Sequence, residues 1–239
     1  MFCLGIVFIG CLVQLAGTAK GDALVFPSVL SILNAFFRLL KTAATYRLIF
    51  TTVAHLCVAL AFATVVGVAL GMVSGLCNPV RQFLEPLMIL FRSIPMIVLV
   101  VIVMVLANYS RVPYIVATLI LMPLISEATG EGCSQIDPEL IDVYKLNSNF
   151  SLRILFTVYM PLMAGYLKQA YINAVGMGMK LIISTEYLVQ TRNSLGKAVH
   201  TSGYFNEYED IYAYALIMIL LVILVTDVPL CILKKMQKQ

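Results

Sequence analysis

The chain has 239 residues, of which 61% are apolar and only 12% charged, and its formal net charge is +4. Soluble domains are nearer half apolar and a quarter charged, so this composition excludes a water-soluble globular protein and points to an integral membrane one. The basic excess is thinly spread, with no run suited to nucleic acid, and the length leaves no room for a soluble domain beside a membrane bundle.

A membrane-crossing helix needs about 20 predominantly apolar residues. Such stretches fall at about 2–19, 46–75, 85–107, 112–130, 160–188 and 211–233, which predicts an all-α, polytopic bundle of about six transmembrane helices. The first stretch lacks a basic lead and reads as an uncleaved helix, with the natural start expected upstream of Met1.

Between the first two spans lies "FPSVLSILNAFFRLLKTA". Ser28 caps a helix after Pro27. Its apolar residues Val29, Ile32, Leu33, Phe36, Phe37 and Leu40 share one face, with Ser31, Asn34, Arg38 and Lys41 opposite. That amphipathic pattern predicts a helix lying on the outer bilayer surface. Residues 1–45 thus form an N-terminal span with an external helix, and 46–239 the core domain.

The second span carries Gly67, Gly71 and Gly75 at intervals of four, and the fifth carries Ala170, Ala174 and Gly178. Small residues at this interval let helix backbones approach closely where lipid supplies no hydrophobic drive; packing within the chain and a dimer seam both use it. Pro95, in "FRSIPMIV", interrupts the third span and reads as a kink or a gate. Lys168, Lys180 and Glu186 lie within the fifth span, where each charge costs about 2.5–3.5 kcal/mol at mid-membrane, so they should face protein or water.

Between the fourth and fifth spans, residues 131–160 hold the longest polar run. Asp137 caps a helix, Pro138 fits its first turn and Glu139 suits its positive end; the helix should run to about Leu146, where "NSN" breaks it. A helix of about ten residues is marginal alone, so it should be ordered by packing on the chain itself or on a partner. Lys and Arg divide evenly between the two faces, and the basic tail "KKMQKQ" favours both ends, and loop 131–160, inside.

The cysteines (Cys3, Cys11, Cys57, Cys77, Cys133 and Cys231) show no zinc spacing and lie mostly in apolar segments, so they read as small hydrophobes. With His55 and His200 the only histidines, neither a metal centre nor a catalytic residue is expected. An intramembrane enzyme would need a partner for His55, and none is evident. A secondary transporter or channel driven by an ion gradient would show repeats and paired mid-membrane acids; no repeat occurs, and Glu127, Glu131, Glu186 and Asp227 sit near span ends.

The polar loop resembles the EAA loop of ABC-importer permeases. Asp142, Val143 and Tyr144 stand where that family has Glu-Ala-Ala, Ser148 at its glycine, and Met160-Pro161 at its Leu-Pro. Around it, "FPSVLSIL", "VGVALGMVSGL", "FLEPLMILFRSIP", "GEGCSQIDPELID", "MGMKLIISTEYL", "NSLGKAV" and Asp227 in "LVTDVPL" follow the order of the nitrate/sulfonate/taurine-type permeases, over about residues 26–236. The resemblance implies a MetI-like six-span fold in the bacterial inner membrane. It also implies a homodimer with paired ATPase subunits beneath and an extracytoplasmic substrate-binding protein outside. Glu139, Asp142, Val143, Tyr144, Lys145 and Ser148 would couple to the ATPase, and Ser93, Pro95, Met179, Lys180 and Glu186 would line or gate the pathway. The solute would be small, anionic or a vitamin precursor such as a thiamine precursor. No cofactor would bind here: with no GxxxxGK[ST] sequence in this chain, ATP and magnesium belong on the partner.

Overall fold

A computed structural model describes residues 27–136 and 159–236, with side-chain surroundings to Thr226. The stretch 2–19 read as a first span lies outside the described residues. All regular structure among the described residues is helical: α1 (Val29–Lys41), α2 (Ala43–Leu76), α3 (Asn78–Ser93), α4 (Met96–Leu106), a 3-10 turn (Tyr109–Arg111), α5 (Val112–Ser134), α6 (Met160–Val189), α7 (Leu195–Tyr204) and α8 (Tyr208–Met236). The chain divides into unit 1, residues 1–53 with 186–239, and unit 2, residues 54–185.

In unit 1, α1 begins where Ser28 Oγ accepts a hydrogen bond from the Ser31 N–H at 3.1 Å, as a side-chain cap should. Arg38 and Lys41 stand in its last turn, where the carbonyl end of the dipole favours cations. The apolar face is split. Ile32, Ala35 and Leu39 are buried, while Val29, Leu33 and Phe37 stay exposed, so α1 is partly sunk into protein rather than resting wholly on lipid. It packs on α8 around a core of Ala35, Leu39, Leu195, Ala213, Tyr214 and Ile217. The turns flanking α7 place Gln190, Asn193 and Asn206 at positive φ, and asparagine tolerates that region better than most residues.

In unit 2, glycines bring α2 against α5. A Cβ at Gly67 would meet Met122 O at 2.9 Å, one at Gly71 would meet Ser126 O at 2.4 Å, and one at Gly75 would meet Cys133 Cβ at 2.5 Å. Partner numbers rise with the glycine numbers, so α2 and α5 run parallel and cross a bilayer in the same direction. The chain between them, residues 77–111, must therefore return across the membrane. The stretch 85–107, expected to do so as a span interrupted at Pro95, falls on a pair of helices, α3 and α4, bent by 99°. The cause is local: Pro95 cannot donate a backbone hydrogen bond, and Ile94 before it is driven to extended backbone at ψ 124°. At 1.5 Å per residue α4 is about 16 Å long, too short to cross alone, so α3 and α4 form one broken crossing.

α2, the segment Tyr109–Ser134 and the segment Tyr208–Thr226 are each long and apolar enough to span. α5 is the enclosed one, with 61% of its most apolar stretch buried. α6 has the length at 30 residues, but Lys168, Lys180 and Glu186 dilute its apolar character. A second cluster, Met72, Cys133, Ile136, Tyr159, Met163 and Leu167, ties the ends of α2, α5 and the start of α6 together. Large side chains left outside, such as Phe50, Phe62, Val105 and Leu106, are what a lipid-facing surface requires.

Candidate functional site

One group of polar residues in unit 2 lies along α3 and toward the C-terminal ends of α2 and α5. Ser74 and Gly75 of α2, the length of α3 from Arg81 to Ser93, and Ser126 to Glu131 of α5 enclose a cavity of about 390 Å³. Arg92 Nη2 donates to Glu127 Oε2 across it, joining α3 to α5. Both side chains are nearly half exposed, at 42% and 47%, so water screens this pair. Ser93 lies on the wall with its hydroxyl turned back onto Ile89 O at 2.8 Å. Pro95 is exposed at the bend and opens α4.

Met179 is fully buried and its neighbour Lys180 exposed, since successive helical residues point about 100° apart. Gly178, one residue earlier, allows close contact: a Cβ there would meet Leu56 Cδ1 at 2.8 Å and Leu121 Cδ1 at 3.0 Å. The structure therefore brings Ser93 to a polar cavity, places Met179 in the interior, and leaves Lys180 on the surface of α6.

Glu186 is enclosed within unit 1. Its side chain is 0% exposed and Oε2 accepts from Thr52 Oγ1 at 2.9 Å and from the Gly196 N–H at 3.3 Å. Thr52 Oγ1 accepts in turn from the Leu195 N–H at 3.1 Å. Leu195 and Gly196 open α7, so two of its orphan N–H groups are satisfied from α2 and α6, while Ser194 Oγ caps a third from Lys197 at 3.2 Å. An acidic side chain at a helix N-terminus is electrostatically favoured. Glu186 thus anchors α7 to the membrane helices. A hollow of about 500 Å³ beside α7 holds Arg192, Lys197, Glu207 and Asp210, and Asp210 pairs with Arg38 of α1.

Glu139, Asp142, Val143, Tyr144, Lys145 and Ser148 lie outside the described residues. Thr52, Arg92, Glu127 and the pair Arg38–Asp210 were not singled out as site residues by sequence reasoning. The one signal for Arg92 and Glu127 was a charge inside each apolar stretch, and their separation of 35 positions gives no periodicity to read. Among the described residues no three His, Cys, Asp or Glu side chains converge as metal ligands.

Residues 63–235 match the family of binding-protein-dependent transport system inner membrane components. No curated protein matches the chain. Among solved structures, a chain from inward-facing conformations of the MetNI methionine ABC transporter is similar with a TM-score of 0.69 at 18% identity, over 80% of this chain and 94% of that one. At that identity the likeness concerns the fold.

Proposed function

The chain belongs to the family of binding-protein-dependent transport system inner membrane components, and on that premise we propose that it is the membrane-spanning permease subunit of an ATP-driven ABC importer. The observation that carries this reading is the family match over residues 63–235. The all-α, MetI-like bundle with its parallel, glycine-packed α2–α5 pair agrees with it.

In this reading the chain does no covalent chemistry. It pairs with a second copy of itself in the bacterial inner membrane, with both ends in the cytoplasm, and receives solute from an extracytoplasmic binding protein. The similar MetNI chain comes from an ABC transporter for methionine. The motif order "FLEPLMILFRSIP" to "NSLGKAV" favours the nitrate, sulfonate, taurine or thiamine-precursor kind for this one. ATP and magnesium are held by a separate ATPase, and the helix 138–146 seats in that ATPase, with Glu139, Asp142, Val143, Tyr144, Lys145 and Ser148 at or beside the contact. Closure of the ATPases would draw the two coupling helices together and switch the bundle between discrete inward-open and outward-open arrangements. The Arg92–Glu127 pair and Ser93, two residues before the bend at Pro95, stand at a cavity wall where such a switch would be felt.

Reconstitution in proteoliposomes with its ATPase and binding protein tests this. Uptake should require ATP and both partners. Uptake that follows an ion gradient with the ATPase absent would instead make the chain a secondary transporter or channel.

A further inference from the structure

The cavity at the ends of α2 and α5 carries information about the solute. At about 390 Å³ it falls within the range of small-molecule sites, which are mostly apolar with a few convergent polar groups. Its charged lining is mixed: Arg81 and Arg92 against Glu85, Glu127 and Glu131. Arg92 is engaged by Glu127. Arg81, Glu85 and Glu131 have no ion-pair partner among the described residues. Leu84, Met88 and Ile89, on the same helix as Arg81, supply an apolar wall.

The helix ends add to this pattern. Ser74 and Gly75 sit in the last turn of α2 and Glu131 in the last turn of α5, two negative, carbonyl ends at the cavity, against the one positive end of α3, whose first turn carries Arg81. Together with the excess of one acidic side chain, that field disfavours a plain anion. Arg81 nevertheless offers a planar fork suited to a carboxylate or sulfonate. A single ligand satisfies both halves when it carries an acid at one end, an ammonium at the other and a short hydrocarbon between.

We propose that this cavity is a solute site for a small zwitterion, with its acid group on Arg81, its ammonium toward Glu131 and the carbonyl ends of α2 and α5, and its hydrocarbon against Leu84, Met88 and Ile89. The proposal rests on the permease reading and narrows its solutes: a taurine-like or amino-acid-like compound fits, and nitrate does not.

The test uses the full chain in lipid nanodiscs with Ser93→Cys, which puts a thiol on the cavity wall. Its labelling by a methanethiosulfonate reagent is followed against the parent chain to subtract the native cysteines. Taurine or β-alanine, at about ten times the half-protecting concentration, should slow labelling about tenfold by mass action. Nitrate and choline at that concentration should leave it unchanged. Arg81→Gln should abolish the protection and Arg81→Lys should retain part of it. Ser74→Cys repeats the measurement from the α2 side should Ser93→Cys not fold. Protection by nitrate or choline equal to that by taurine, protection that survives Arg81→Gln, or no protection by either zwitterion would overturn the proposal. ATP-dependent uptake that persists alongside any of these leaves the permease reading standing, whereas uptake that never depends on ATP removes that reading itself.

Discussion

Thr52 and Glu186 stand 134 positions apart in the chain, yet Thr52 Oγ1 donates to Glu186 Oε2 at 2.9 Å where neither side chain meets solvent. Through this bond α2, α6 and the start of α7 become one hydrogen-bonded piece. Glu186→Ala leaves the Thr52 hydroxyl and the Gly196 N–H without that acceptor, and each such buried group costs about 1–3 kcal/mol. Thermal melting of helical circular dichroism in detergent should show a large loss for Glu186→Ala and a smaller one for Glu186→Gln, whose amide oxygen still accepts. Equal melting of Glu186→Ala and the parent would mean the network contributes nothing.

Gly71 predicts the opposite of what helix propensity alone would give. A Cβ there would lie 2.4 Å from Ser126 O and 2.5 Å from Thr129 Cβ, both belonging to the facing helix. Gly71→Ala should therefore force α2 and α5 apart and destabilise, even though alanine is the better helix former by about 1 kcal/mol. Gly165 is the control, because a Cβ there meets nothing within 4 Å. Its change to alanine should be neutral or mildly stabilising. If both variants melted alike, the close approach would be wrong.

These two sites also show what a sequence can and cannot yield. The interval of four between Gly67, Gly71 and Gly75 is legible as a face made for close approach, but the facing residues Ser126, Thr129 and Cys133 are fixed only by the tertiary fold. Glu186 was readable as a costly charge in an apolar helix, whereas its partner Thr52 is one unremarkable threonine in another helix. Ser28 gave α1 its start because capping is local, within three residues. The interruption of the third span was legible in Pro95, but the size of the bend was not: hydropathy sums composition and is blind to direction, so a 99° turn leaves the sum over 85–107 unchanged. The cavity was hidden for a similar reason, since its charges come from α3 and α5 and meet only after folding.

The Arg92–Glu127 pair should matter little to stability. With both side chains nearly half exposed, a double-mutant cycle through Arg92→Ala and Glu127→Ala should give a coupling below about 1 kcal/mol that shrinks further in high salt. A coupling several times larger would show that the pair is desolvated in the assembled protein.

Lys180 is exposed on α6 beside buried Met179. If its charge faces the solute path, Lys180→Met should lower uptake of an acid-bearing solute about tenfold, equivalent to about 1.4 kcal/mol of lost interaction. Unchanged uptake together with unchanged stimulation by the binding protein would remove Lys180 from the pathway.

The measurement closest to the central claim is site-specific crosslinking from a photoreactive group at position 144, in membranes containing the chain and its ATPase. A permease coupled through the helix 138–146 predicts an adduct between Tyr144's position and the ATPase, with a yield that changes when ATP is trapped. Adducts with no ATPase at any nucleotide state, or labelling of that position by an impermeant reagent from the outer face, would contradict it.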